Sequence, residues 1–189
     1  FLRQHTGAHV HADLIVGLPG EDVATFARGF DRLWAMGPNE IQVGVLKRLR
    51  GTPIVRHDGE HGMQYAAEPP YEIVQTTAVP FPAMQGLKRF ARYWDRVGNS
   101  GNWNATLAVL LAGASAFAAF DAFARWLHTT TRQTAGIALH RLAGLLWQWL
   151  VEERRLPAEI VGPAMAADYD RCARHDWPEF LRPWVRGER

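Results

Sequence analysis

Apolar and polar positions change period several times along this chain, and each change predicts an element boundary. His9 to Val16 (HVHADLIV) is a β-favouring run that closes on Leu14-Ile15-Val16, an apolar stretch suited to a strand covered on both faces. It stops at Gly17-Leu18-Pro19-Gly20. Residues 22–36 then place Val23, Phe26, Phe30, Leu33 and Trp34 at helical spacing, behind an acidic start at Glu21-Asp22 and ahead of a stop at Gly37-Pro38. Glu40 to Leu46 (EIQVGVL) predicts a second strand, which runs into the turn KRLRGTP. Strand, helix and strand in so few residues form a βαβ unit, which requires parallel strands joined by a right-handed crossover.

From Thr52 to Pro80 the pattern is mixed: a polar loop at HDGEHG, a strand near Met63 to Ala67, Pro69-Pro70, and a β-favouring YEIVQTT. Beyond Pro82 the period is helical. Met84, Leu87, Phe90, Ala91, Trp94 and Val97 share one face, then Leu107, Leu110, Leu111, Ala114, Phe117 and Phe120, then Leu139, Leu142, Leu146 and Trp149. A last helix starts with Pro157 at its first position and carries Val161, Met165, Tyr169 and Cys172 on one side. The expected fold is α/β plus α, with a sheet-bearing part at 1–79 and a four- or five-helix domain at 80–189. The uncharged stretch from Val97 to Phe120 reads as buried helix, because its apolar core is shorter than the roughly 20 residues a bilayer span needs.

Composition narrows the classes. The 189 residues are 48% hydrophobic and 21% charged, enough for one core or two small ones and incompatible with overall disorder. A net charge of +2 is spread evenly over the two halves, so no basic nucleic-acid arm or acidic tail exists. One cysteine, Cys172, excludes an internal disulfide framework and a multi-cysteine metal site, which fits a cytoplasmic protein. The first residue is Phe1, and FLRQHT reads as the end of a helix turning at Gly7, so the chain is expected to be part of a longer protein.

Candidate chemistry lies in the two turns, since ligands on parallel sheets bind at the carboxyl ends of strands. Gly17 and Gly20 permit close backbone approach, Pro19 stiffens the turn, and the following helix start offers free N–H groups. Either turn alone is also a sound strand-to-helix connection. Together, HADLIVGLPGE and VGVLKRLRGTPI resemble the fifth and sixth barrel strands of radical S-adenosylmethionine (SAM) enzymes, over residues 1 to about 60. GTPIVRHD, the Pro-Pro-Tyr-Glu-Ile segment at 69–73 and LKRFARYWDRVGNSG resemble the helical region of unknown function that follows the core in cobalamin-binding members.

The resemblance implies the C-terminal part of a partial TIM-like radical SAM barrel followed by an all-helical domain. It implies that Ile15, Gly17, Pro19 and Gly20 line the adenosyl group of SAM, and that Val45 and Leu46 approach the adenine edge. It further implies a 4Fe-4S cluster whose Cys-x-x-x-Cys-x-x-Cys ligands are not in this chain, cobalamin held by an upstream domain, and a reductant protein such as flavodoxin or ferredoxin. The chain alone would then be inactive, with an unidentified small-molecule substrate and no nucleic acid or membrane partner. The family pattern places an acidic residue three positions after the strand glycine; Glu21 falls four after Gly17, which assigns it to helix capping.

Other residues invite other readings. Lys47, Arg48 and Arg50 are possible anion contacts at the active-face end of the second strand, or a solvated basic loop. His5, His9, His11, His57 and His61 are five of the eight histidines. A metal hydrolase could use such a set, but His9 and His11 sit at the amino end of their strand, and His57 and His61 flank a loop, so structural roles are expected and no metal ligand is assigned. Six of the eight tryptophans follow residue 102, and core packing explains them better than ligand stacking. Cys172 is expected to be a small buried hydrophobe. The helical domain suits either an active-site cover, packing through Phe90 and Trp94, or an interaction scaffold.

Overall fold

The computed structural model describes residues 5–172 and 176–185. The helix expected before Gly7 falls largely on residues 1–4, outside the described residues. The chain divides into two compact units, residues 1–95 and 96–189.

In the first unit β1 (His11–Val16), α1 (Val23–Met36) and β2 (Glu40–Val45) follow one another, and the strands pair in parallel from His11↔Glu40 to Val16↔Val45. The pairing predicted from periodicity is present. β1 starts two residues later than expected because Val10 is committed to a different geometry: its N–H donates to Asn39 Oδ1 and its carbonyl accepts from the Asn39 and Glu40 N–H groups. α1 is capped by Asp22, whose carboxylate accepts the Thr25 N–H at 2.7 Å, so the capping role expected of Glu21 belongs to its neighbour. The helix ends at Gly37 in the left-handed conformation, as its sequence requires.

α1 covers the sheet face that carries Leu14, Val16 and Ile41, with Phe26 and Phe30 in the core. The opposite face differs from the expectation of two-sided cover. His11, Asp13 and Gln42 on it are exposed and Ile15 is half-buried. Only Ile15 and Gly44 interrupt a polar row there, so within the described residues one apolar layer suffices.

Past β2 the chain turns through a 3₁₀ segment (Pro53–His57) and returns as β3 (Gln64–Tyr65) and β4 (Ile73–Gln75), a short antiparallel pair. The Ile73 N–H donates to the Leu46 carbonyl, and Lys47 bridges Glu72, which lays this return alongside the carboxyl end of β2. α2 (Phe81–Val97) closes the unit. Met84, Phe90 and Trp94 are buried, the rings of Phe90 and Trp94 stand edge-on to Phe30 at 5.1 and 4.7 Å, and Trp94 Nε1 donates to the Ile41 carbonyl at 2.7 Å. Glu40 and Leu46 turn their N–H groups to β1, so Ile41 faces the other edge, and the indole covers it. α2 therefore belongs with the sheet, although it follows the expected division at 79/80.

The second unit is helical: α3 (Asn104–Leu110), α4 (Ala116–Thr131), α5 (Leu139–Trp147), a π-helical turn (Gln148–Glu153), α6 (Ala158–Arg171) and a 3₁₀ segment (Glu179–Trp184). The apolar run expected as one helix to Phe120 is broken. Leu111 ends α3, Gly113 takes φ 137°, and Ser115 caps α4 by accepting the Ala118 N–H. Pro157 stands one residue before α6 at its cap, and Val161, Met165 and Tyr169 are buried as expected. Cys172 instead lies half-buried at the helix end, with the Asp168 carbonyl and Asn102 Oδ1 both within reach of its single S–H donor. Asp168 is 1% exposed and accepts the N–H groups of Ala105 and Thr106 at 3.0 and 2.7 Å, capping α3 from α6. No helix among the described residues is long and apolar enough to cross a membrane.

Candidate functional site

Parallel register brings the carboxyl ends of β1 and β2 side by side, so the turns after them open at one end of the sheet. At the first turn Gly17 is buried with φ 90°, and the position its Cβ would take is 2.6 Å from Ile73 Cγ2 and 3.3 Å from Met84 Cε. This glycine is dictated by packing against the protein's own side chains. Gly20 is different: exposed, with φ 75°, and with His61 Cε1 3.4 Å from its Cβ position. Leu18 and Gly20 are exposed and Pro19 is half-buried, so the outer side of the turn is open to a ligand along Leu18–Gly20. Glu21 follows with its Oε2 buried and without a hydrogen-bond partner. Burial, then the neighbouring Asp22 charge, pushes its carboxyl above the ordinary value, while the Thr25 N–H holds Asp22 below it.

Val45 and Leu46 are half-buried at the end of β2 beside Val16 and Ile73. Beyond them a cleft of about 660 Å³ is lined by Arg48, Arg50, Val55, Met63, Tyr65 and Tyr71, among others. Arg48 stacks over the Tyr65 ring at 5.6 Å and pairs with Asp58 at 3.1 Å. Burial raises the Tyr65 phenol above its ordinary value, so it is a neutral donor at physiological pH. Exposed Leu49, Val55 and Tyr71 give the rim apolar surface. The structure brings Arg48 and Arg50 of the expected anion contacts to one cleft. Lys47 lies outside its lining.

The histidines separate into two settings. His9 and His11 gather around Glu40 at the amino end of the sheet, His11 Nδ1 at 3.2 Å from its carboxylate and His11 Nε2 at 2.9 Å from Gln42 Oε1. The Gln42 contact, then Glu40 and Asp13, raises the His11 imidazole, the hydrogen-bonded role its position implied. His57 and His61 are instead on the carboxyl-end side with Glu60, and one ligand atom from each of the three lies within 4.8 Å of the others. The sequence singles out the two histidines but not Glu60, although its spacing in HDGEH is visible. The cleft's second wall, Met63, Tyr65 and Tyr71, was also passed over, because only the return of the chain beside β2 brings it to Arg48.

Residues 59–186 match a family described as "Protein of unknown function (DUF4080)". The chain belongs to this family. No curated protein matches the chain. The DUF4080 match contains Glu60, His61, the second wall of the cleft, α2 and the helical unit. The β1-α1-β2 unit and its two turns precede it.

Proposed function

We propose that this DUF4080 chain is the C-terminal part of a radical SAM enzyme, β1 and β2 being two neighbouring strands of its barrel. The observation that carries the reading is the juxtaposition of the GLPGE and RLRGTP turns at one end of two parallel, in-register strands. Two features support it. β1 has one strand neighbour among the described residues, so its other edge can accept a further parallel strand. α2 runs back along β2, with Met84 beside Gly17 and Trp94 at Ile41, as a helix following a barrel strand does.

In this reading SAM bound with a 4Fe-4S cluster would supply radical chemistry, and the chain's own residues would position the cofactor. Leu18–Gly20 provide open backbone for the adenosyl group, and Val45 and Leu46 offer apolar surface at the adenine edge. Arg48 and Arg50 give the adjoining cleft a site for a carboxylate or phosphate of the substrate. One thiol cannot hold the cluster, so its ligands belong to other residues of the enzyme. Cobalamin and a flavodoxin or ferredoxin reductant are part of the same proposal. Phe90 and Trp94, expected to seat an active-site cover, pack instead on α1 within the sheet-bearing unit.

The test is reductive SAM cleavage by the complete enzyme containing this chain, reconstituted without oxygen. 5′-Deoxyadenosine is expected, with formation and SAM affinity both reduced in a folded Gly20→Val variant. Absence of 5′-deoxyadenosine from a cluster-loaded protein would reject the assignment.

A further inference from the structure

The segment after the 3₁₀ turn carries a second kind of chemistry. His61 N–H donates to the His57 carbonyl at 3.1 Å, a single turn of α-helical type, so His57, Glu60 and His61 stand at i, i+3 and i+4. That spacing puts two imidazoles and a carboxylate on one side of the turn. The turn is held on both flanks: the Thr77 N–H donates to the His61 carbonyl at 2.9 Å, the Met63 N–H to the Asp58 carbonyl at 3.0 Å, and Arg48 pairs with Asp58. A loop whose backbone is anchored in this way loses little further entropy when its side chains converge on one ion.

From these residues we infer a divalent transition-metal site formed by His57, Glu60 and His61. It does not depend on the SAM reading. Two imidazole nitrogens and one carboxylate oxygen are the donor set of Zn²⁺ and its first-row neighbours, whereas Mg²⁺ and Ca²⁺ prefer oxygen alone. Ligand atoms within 4.8 Å of one another need to close by at most about 1.5 Å to reach the separations around a tetrahedral ion, with metal–nitrogen bonds of about 2.0–2.1 Å. Glu60 is exposed and both histidines are half-buried, so rotations about side-chain bonds supply that movement. Three protein ligands leave a fourth position for water or for an anionic group of a ligand. That position is close to the strand-end turn, since His61 Cε1 lies 3.4 Å from where a Gly20 Cβ would be.

One neighbour opposes the metal. Arg56 Nε donates to His57 Nε2 at 3.0 Å and brings a positive charge beside the site. A metal on Nε2 takes the lone pair that accepts this hydrogen bond; a metal on Nδ1 moves the ring proton to Nε2, which then repels the same donor. Arg56 is exposed and can swing away, but in either geometry it competes. Loss of Arg56 should therefore tighten binding.

The experiment is titration of the whole chain with Zn²⁺ by calorimetry and with Co²⁺ by visible absorption. One equivalent should bind, with cobalt ligand-field bands of low coordination number. His57→Ala and His61→Ala should each weaken binding at least about tenfold, Glu60→Gln should weaken it less, and Arg56→Ala should strengthen it. A His9→Ala/His11→Ala double variant should bind as wild type. In the wild-type chain Zn²⁺ should shift the imidazole resonances of His57 and His61, a readout that needs no variant to fold. No binding, or binding unchanged in His57→Ala and His61→Ala with unshifted resonances, overturns the site.

Discussion

Gly17 and Gly20 both take a positive φ, 90° and 75°, and they answer to different constraints. An added Cβ at Gly17 meets Ile73 Cγ2, and the positive φ adds a conformational cost, so Gly17→Ala should lower stability by about 2–4 kcal/mol. At Gly20 the neighbour is the edge of a half-buried imidazole, and Gly20→Ala should cost only the backbone term, about 1–2 kcal/mol. Urea unfolding of both variants measures the difference, and equal losses would contradict it. Glu21 allows a pH test. Its folded-state pKa is raised, so the folded protein favours the protonated form: stability from this group is present below the unfolded pKa and is lost as pH rises through the folded one. Glu21→Gln should therefore be more stable than wild type at pH 7, and the advantage should vanish below about pH 4, where both side chains are neutral.

Among the elements, helix ends decide what periodicity leaves open. The alanine-rich stretch around residues 104–120 keeps a helical period through Leu111, Ala114 and Phe117, yet Ser115 starts a new helix there. Ser115→Ala removes the acceptor for the Ala118 N–H and should cost about 1 kcal/mol. The α3 start has no side-chain cap of its own. Asp168 supplies it from α6 and also takes Arg171 Nη2 at 2.6 Å. Asp168→Ala leaves two backbone donors without a partner and should cost about 3 kcal/mol, more than Asp168→Asn, which keeps one acceptor oxygen; thermal unfolding of the two variants orders them.

For the molecule as a whole, the division into units predicts where the chain can be cut. Ending it at residue 80 removes Met84, Phe90 and Trp94 from the core of the first unit and uncovers Phe26, Phe30 and the outer edge of β2. That protein should aggregate or bind hydrophobic dyes. A chain ending at Gly98 keeps α2 and should stay soluble with cooperative unfolding, read by circular dichroism and light scattering. Equal behaviour of the two would mean that α2 contributes nothing to the sheet-bearing core.

The β1-α1-β2 unit was legible in the sequence because its causes are local. Asp22 and Gly37 act within one helical turn, the apolar period names the buried face, and a single crossover helix leaves the strands no pairing but a parallel one. The i, i+3, i+4 spacing of His57, Glu60 and His61 is likewise visible in HDGEH, although the sequence alone assigns these residues no metal. What tertiary structure decided depends on partners far apart in the chain: Trp94 on the Ile41 carbonyl, Ile73 against Gly17, and Asp168 on the Ala105 and Thr106 N–H groups. No periodicity encodes these pairings, because each exists only after the chain has closed a long loop and brought one satisfied polar group or one methyl into the space left by another residue.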